Sequence, residues 1–132
     1  MKKFKNLILI LSFICIGWTG IASAGQRTPE RFYQLHWCKE HNGTAETRLE
    51  DGTRVDCLTN SYAIEFDFAY KWAEAVGQVA HYAIMTNRNP GIVLILEDKN
   101  DLRYIIRLLN ATRHSTDQWR FWFIWARSKN DQ

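Results

Sequence analysis

The sequence predicts an α/β fold in which a mixed sheet is flanked by helices. Short segments with alternating polarity are separated by turn signals, and two longer segments change to the spacing of a helix. Residues 91–96 form an unbroken apolar run, which is typical of a central strand covered on both faces. Read in order after residue 24, the elements are α-β-β-β-α-β-α-β.

The first 24 residues have the features of a bacterial Sec signal peptide. Lysines at the start precede an apolar segment at residues 7–16 that is too short to span a bilayer, and small residues at 22–24 fit a cleavage site. We therefore expect residues 25–132 to form one periplasmic or secreted domain with no stable membrane association after cleavage. An uncleaved anchor is the alternative.

The charge balance gives no general affinity for nucleic acid. The chain has 17 Lys and Arg against 14 Asp and Glu, and three of the lysines belong to the predicted signal peptide. The remainder therefore has 14 residues of each sign, so a nucleic-acid partner would need a local basic patch. The densest basic and aromatic region contains Arg103, Arg107, Trp119, Arg113, Arg120 and Trp122. It fits either a phosphate-tracking surface or an exposed helix beside core tryptophans.

Two cysteines, Cys38 and Cys57, follow the predicted signal peptide. Export would place them in an oxidising compartment, so we expect a disulfide that ties the first helix to the second strand and adds about 2–4 kcal/mol of stability. The spacing of His36, Cys38 and His41 also allows zinc, but a fourth ligand would have to come from Cys57 or elsewhere, and oxidation would consume both thiols.

The first elements are predicted from the signals at their ends. A proline after a threonine at the start and an Asn-Gly pair at the end favour a helix at residues 28–41. Strands are expected at residues 44–49 and 53–58, because the Asp51-Gly52 pair between them is typical of a hairpin turn.

Residues 62–68 alternate in polarity, which predicts a strand with an apolar inward face and an outward face that carries Glu65 and Asp67. From residue 69 to 85 the period is helical. One stripe of this helix contains Lys71, Glu74, Gln78 and Tyr82.

The last elements are a helix at about residues 98–110 and an aromatic strand at residues 119–126. The helix is expected to turn its large aliphatic side chains inward. These side chains are Leu102, Ile105, Ile106 and Leu109.

Acidic residues on neighbouring strands suggest divalent-metal chemistry. Asp56 near the end of the second strand and Glu65 on the third are hard oxygen ligands of the kind that Mg²⁺ prefers. Taken singly, each is more often structural, with Asp56 capping a turn and Glu65 and Asp67 on a solvated strand face. Their joint occurrence just before a helix that carries Lys71 favours a site.

These residues resemble the motifs of the PD-(D/E)XK nuclease superfamily. Val55-Asp56 corresponds to its Pro-Asp element, with valine in place of proline. Glu65-Phe66-Asp67 corresponds to its (D/E)-x-K element, with Asp67 in place of the lysine. The α-β-β-β-α-β order of elements is similar as well, so the resemblance covers almost all of residues 25–132.

Residues 78–82 match the Q-x-x-x-Y motif of the RecB-like branch. Residues 63–82 are also similar to a group of small exported bacterial proteins, a likeness that implies no activity. The superfamily resemblance implies a restriction-endonuclease-like fold and an Mg²⁺-dependent hydrolysis of phosphodiester bonds in DNA or RNA.

The resemblance also implies roles for individual side chains. Asp56 and Glu65 would hold the metal. Because Asp67 cannot donate, Lys71 would take over the function of the strand lysine, Gln78 would orient it or a water, and Tyr82 would contact the phosphate backbone. Glu40 is a further candidate acid. The alternative is an inactive descendant, or a non-catalytic module on the same fold that binds an envelope component, because the strand lysine is missing and residues 25–132 have no net charge.

Overall fold

A computed structural model describes residues 27–115 and 118–127. The predicted signal peptide lies outside these residues. The helices and strands are α1 (Glu30–Glu40), β1 (Thr44–Arg48), β2 (Arg54–Leu58), β3 (Tyr62–Phe68), α2 (Trp72–Thr86), β4 (Asn89–Leu96), α3 (Leu102–Thr112) and β5 (Arg120–Trp125). The predicted α/β class and the predicted order of elements are confirmed.

The strands form one open mixed sheet in the order β1-β2-β3-β4-β5. β2 is antiparallel to both β1 and β3, whereas β4 is parallel to both β3 and β5. Parallel neighbours need a crossover, and α2 and α3 provide the two crossovers. From Pro90 onward β4 is buried, as its apolar run predicts.

The helices cover the two faces of the sheet. On one face Trp37 of α1 packs against Ile64, Phe66 and Val93. On the other face α2 and α3 pack around β4, with Leu108 among the fully buried side chains. Within residues 27–115 and 118–127, no helix has the length and apolar character needed to cross a membrane.

The predicted inward face of α3 is wrong for three of its four residues. Leu102, Ile106 and Leu109 are 48%, 61% and 44% exposed, whereas Leu108 is fully buried. A 3-10 turn precedes the helix, and the carboxylate of its buried Asp101 accepts the Glu97 backbone N–H at 2.7 Å. This turn fixes where the helix begins. Because aliphatic residues occupy more than one face of α3, periodicity alone did not identify the buried one.

The acidic face of β3 is also not solvated. Glu65 and Asp67 are 6% and 3% exposed. This face of the strand packs toward α2, where Tyr82 contacts Ala63 in a small apolar cluster. Because α2 covers this face of the strand, the two carboxyl groups are buried. Burial of a carboxyl group shifts its pKa.

Cys38 and Cys57 form the expected disulfide, with their Cα atoms 5.7 Å apart. The zinc alternative is excluded, because the disulfide consumes both thiols. His36 instead lies 3.3 Å from a Glu40 oxygen, and the His41 ring stacks on Trp37.

Candidate active site

The sheet splits between β2 and β3. These strands are paired only at Cys57–Ile64 and Leu58–Ala63. Beyond this point the Phe66 backbone N–H donates to the Asp56 carboxylate at 2.9 Å instead of to a backbone carbonyl. The carboxylate of Asp56 therefore bridges the split and is held against β3.

A pocket of about 450 Å³ opens at this split. Its lining includes the six residues to which the superfamily resemblance assigned a role with the metal, the water or the phosphate; Glu40 is not among them. These residues are Asp56, Glu65, Asp67, Lys71, Gln78 and Tyr82. The remaining walls come from Glu30 of α1, Glu74 of α2 and the β1–β2 hairpin with Arg48 and Arg54. Strand ends and one helix stripe thus converge as their spacing predicted.

Three buried oxygens in the pocket have no hydrogen-bond partner among the described residues: Glu65 Oε2, Asp67 Oδ1 and Gln78 Oε1. The Lys71 ammonium lies 3.4 Å from Asp67 Oδ1 and balances its charge, which leaves Glu65 Oε2 and Gln78 Oε1 unsatisfied. An unsatisfied buried acceptor costs about 1–3 kcal/mol, so these two indicate that a further positively charged or donating group belongs in the pocket. Oxygen donors of this kind suit Mg²⁺ or Mn²⁺.

The carboxylates are not arranged as a closed metal cage. Among residues 27–115 and 118–127, no group of three or more His, Cys, Asp or Glu side chains is placed to hold a metal ion. The donor chemistry therefore fits a hard cation, but binding would have to draw the carboxylates closer together.

Burial and crowding raise the pKa of the acidic side chains. Burial, and then the charges of Asp56 and Asp67, raise the pKa of Glu65 to about 9. Burial also raises the pKa of Asp56 to about 6 and raises that of Asp67. Burial and the neighbouring carboxylates therefore favour the protonated form of Glu65 at neutral pH.

Glu30 is a site residue that the sequence did not identify. Burial and the neighbouring Asp67 raise the pKa of Glu30 to about 7, and the two carboxyl groups share a hydrogen bond. Glu40, the acid proposed from this helix, is exposed beside His36 and does not line the pocket. Nothing in the sequence distinguishes Glu30 from an ordinary first-turn acid, because only the docking of α1 brings it to β3.

Lys71 points into the acidic cluster. Its Nζ lies 3.4 Å from Asp67 Oδ1, and the charge of Asp67 raises the pKa of Lys71. The Lys71 side chain is 40% exposed and lines the pocket, so its ammonium contacts the buried acid from the open side. Lys71 is the last residue of the 3-10 turn that joins β3 to α2, and this short turn brings it back to Asp67, four residues earlier.

Gln78 and Tyr82 form the α2 wall. The Tyr82 ring is buried beside Val55 and Ala63, and its hydroxyl contacts the Gln78 amide. Burial, then the nearby Glu65 and Asp56 carboxyls, raise the pKa of Tyr82, so the phenol is a neutral donor in the pocket. The Gln78 amide oxygen faces the pocket without a partner.

A buried polar network supports β2 behind Asp56. The Gln34 amide donates to the Asp56 carbonyl at 2.8 Å and to Glu46 Oε1 at 2.6 Å. Glu46 has a left-handed φ of 56° inside β1, and Arg31 and Arg54 also contact its carboxylate, at 3.2 and 2.9 Å. A non-glycine residue in this conformation is strained, and such strain concentrates at functional sites.

The arginines at the mouth of the pocket differ in whether they form an ion pair. Arg54 is engaged by Glu46, whereas Arg48 has no ion pair with any described residue. The hairpin that carries both is tied to α2, because Asp51 lies 2.6 Å from the His81 ring. Arg48 is therefore a free cation at the edge of an acidic pocket.

Comparison with protein-family models, curated proteins and solved structures gives no match to this chain.

We expect the stability of the metal-free protein to fall as pH rises from about 5 to about 9. The pKa of Glu65 is raised from an ordinary 4.5 to about 9, so the fold favours the protonated form and loses stability as the unfolded carboxyl ionises. Glu65→Gln removes this proton linkage and should be more stable than wild type by on the order of 2 kcal/mol at pH 8.

Urea unfolding in EDTA across this pH range measures the effect. Glu40→Gln, on the exposed side of α1, is the control and should follow the wild-type curve. If the free energy of unfolding depended on pH in the same way for wild type and Glu65→Gln, Glu65 would be ionised in the folded protein.

Proposed function

We propose that this protein is an exported, divalent-metal-dependent phosphodiester hydrolase acting on DNA or RNA, with a PD-(D/E)XK-like arrangement of its site. One observation carries the proposal. The partnerless Glu65 Oε2 of β3 shares one pocket with the Asp56 carboxylate of β2, across the split, and with Lys71, whose ammonium is directed at Asp67. The α/β fold with a five-stranded mixed sheet is compatible with that superfamily.

Asp56 and Glu65 are the residues that would hold the metal, with Asp67 as a neighbouring oxygen. Their donors are hard oxygens, and the partnerless Glu65 Oε2 supports the assignment. A bound Mg²⁺ or Mn²⁺ supplies charge stabilisation for a phosphate oxygen and lowers the pKa of a water. Because Glu65 must lose its proton to become a ligand, binding strengthens as pH rises.

Lys71 replaces the missing strand lysine. Its ammonium reaches the pocket from the helix, and the Asp67 carboxylate fixes its direction at 3.4 Å. A fixed positive charge beside the phosphate stabilises the negative charge that develops during hydrolysis. In this proposal Asp67 orients the Lys71 ammonium, which takes the role of the lysine that the superfamily carries on the strand itself.

Hydrolysis also requires proton transfers, and the chain has a group suited to them. The Glu30 carboxyl, with a pKa of about 7, can hold or release a proton near neutral pH. The partnerless Gln78 Oε1 can accept a hydrogen bond from a water, which orients it. The Tyr82 hydroxyl can donate to a phosphate oxygen.

Arg48 supplies the local attraction that the net charge does not. It is exposed, lines the pocket and has no ion pair among the described residues. A polyanion approaching the β1–β2 hairpin would contact the Arg48 guanidinium before it reached the acidic side chains of the pocket. The substrate is therefore expected to lie along the hairpin side of the pocket.

The test is the hydrolysis of DNA and RNA oligonucleotides by the purified protein. We expect cleavage in Mg²⁺ or Mn²⁺ that EDTA abolishes, and Lys71→Met should lower the rate by about 10²-fold, because a preorganised charge is lost. Lys99→Met, outside the pocket lining, is the matched control and should cleave at the wild-type rate. Equal rates for both variants would remove Lys71 from the mechanism.

A second pocket favours the alternative of a non-catalytic binding module. It has a volume of about 350 Å³, and no Asp, Glu, Lys or Arg contributes to its lining. Trp37, Tyr62 and Trp122 lie beneath a polar rim that includes Asn60 and Ser61. Such a surface suits an uncharged envelope component rather than a phosphate. Wild-type protein that neither cleaves oligonucleotides nor gives a calorimetric signal with Mg²⁺ would support this alternative.

A further inference from the structure

The outward surface of α3 is apolar along one stripe. Leu102, Ile106 and Leu109 recur at i, i+4 and i+7, so they lie on one side of the helix. All three are more than two-fifths exposed. Adjacent exposed aliphatic side chains on a folded domain mark a surface that contacts something apolar. We refer to these residues, together with the arginines described next, as the α3 outer surface.

Arg103, Arg107 and Arg113 give this surface its charge. Arg103 and Arg107 each follow a stripe residue by one position, which places them about 100° around the helix, beside the stripe. Their guanidinium groups lie 4.8 and 5.5 Å from the Tyr104 ring centre. None of the three arginines forms an ion pair with any residue in 27–115 or 118–127.

Among residues 27–115 and 118–127, no acidic side chain pairs with the arginines of this surface. Residues 102–115 contain no Asp or Glu. Of the acids just before the helix, Glu97 pairs with Arg27 at 2.5 Å, and Asp98 accepts the Asn100 backbone N–H. Asp101 is buried and accepts the Glu97 N–H. The α3 outer surface therefore combines exposed aliphatic side chains with uncompensated positive charge.

The tryptophans do not extend this surface into a stacking platform for nucleic acid. Trp119 packs against the core formed by α2, α3 and β4, and Trp122 packs against the core on the opposite face, beside Trp37. The Tyr104 ring already lies against the guanidinium groups of Arg103 and Arg107, and the exposed apolar side chains beside these arginines are aliphatic. Nucleic-acid backbones give such side chains no apolar partner, whereas lipid chains do.

We propose that the α3 outer surface binds the face of an anionic lipid bilayer. Leu102, Ile106 and Leu109 would enter the boundary between headgroups and acyl chains, and the arginines would contact the lipid phosphates. A second copy of the chain fits this surface less well than a bilayer does. In a two-fold symmetric dimer the arginines of one copy would face those of the other, and residues 102–115 contain no acid to pair with them. The acidic pocket shares no residue with this surface.

Vesicle sedimentation with the full chain tests this proposal. We expect binding to vesicles of phosphatidylcholine mixed with phosphatidylglycerol, little binding to phosphatidylcholine alone, and weakening with added salt. Ile106→Ser should weaken binding roughly tenfold through lost apolar contact. Arg103→Gln combined with Arg107→Gln should weaken it by roughly tenfold or more through lost charge.

Leu35→Ser is the matched control, because Leu35 is a similarly exposed aliphatic residue on α1, across the sheet. It should leave vesicle binding unchanged. The proposal is overturned by binding that does not depend on the anionic lipid, or by equal loss in Leu35→Ser. It is also overturned if Ile106→Ser disrupts a dimer without affecting vesicle binding, or if the arginine variant loses only oligonucleotide binding. Thermal unfolding of each variant verifies that the fold is retained.

Discussion

Asp56→Asn is expected to reduce metal-dependent hydrolysis by about 10³-fold or more while leaving the fold intact. The asparagine oxygen can still accept the Phe66 backbone N–H, so the split between β2 and β3 keeps its bridge. What is lost is the negative charge needed by the metal. Because burial raises the pKa of Asp56 to about 6, removing this charge also relieves an unfavourable interaction above that pH.

Three measurements make this result decisive. Oligonucleotide cleavage gives the rate, calorimetry with Mn²⁺ gives the affinity, and urea unfolding gives the stability. Asp98→Asn is the matched control, since Asp98 is exposed outside the pocket and only caps a 3-10 turn. An Asp56→Asn protein with wild-type cleavage would place the metal elsewhere, whatever the outcome for other variants.

Gly43→Ala is expected to destabilise the protein by about 2–4 kcal/mol, comparable to loss of the disulfide itself. A methyl group at this position would lie 2.7 Å from the Cys38 sulfur and even closer to the Cys57 sulfur. Those sulfurs are bonded to each other and cannot both move away. The contact should therefore distort either the disulfide or the chain between α1 and β1.

A double-mutant cycle isolates this effect. In a chain with Cys38→Ala and Cys57→Ala, the added methyl group meets smaller side chains, so Gly43→Ala should cost much less. Gly77→Ala is the control, because an added methyl there contacts nothing within 4 Å and replaces glycine inside α2. It should stabilise the protein by about 0.5–1 kcal/mol. An equal cost of Gly43→Ala with and without the cysteines would exclude the proposed clash.

Local patterns were sufficient to predict the order of elements. The turn pair at Asp51-Gly52, the apolar run of β4 and the change of period at residue 69 each depend on a few neighbouring residues. The same patterns predicted that Asp56, Glu65 and the α2 stripe would lie near one another, and all of them line one pocket. This could be predicted because side chains project from strands and helices in fixed directions.

Properties set by the packing of distant segments could not be predicted in this way. The burial of Glu65 and Asp67 depends on their cover by α2, and the exposed stripe of α3 depends on how the preceding turn sets the helix. Glu30 entered the pocket where Glu40 was expected, since the two lie at opposite ends of an 11-residue helix of about 16 Å. Only the docked position of α1 distinguishes them.

The disulfide affects when the pocket assembles as well as where its walls lie. Cys57 directly follows Asp56, and Cys38 lies in the helix that carries Glu30, so the bond covalently joins two walls of the pocket. In a reduced chain, packing and non-covalent contacts such as the Gln34 hydrogen bonds would have to hold these walls together. The geometry of the pocket is therefore linked to the oxidation state of this cysteine pair.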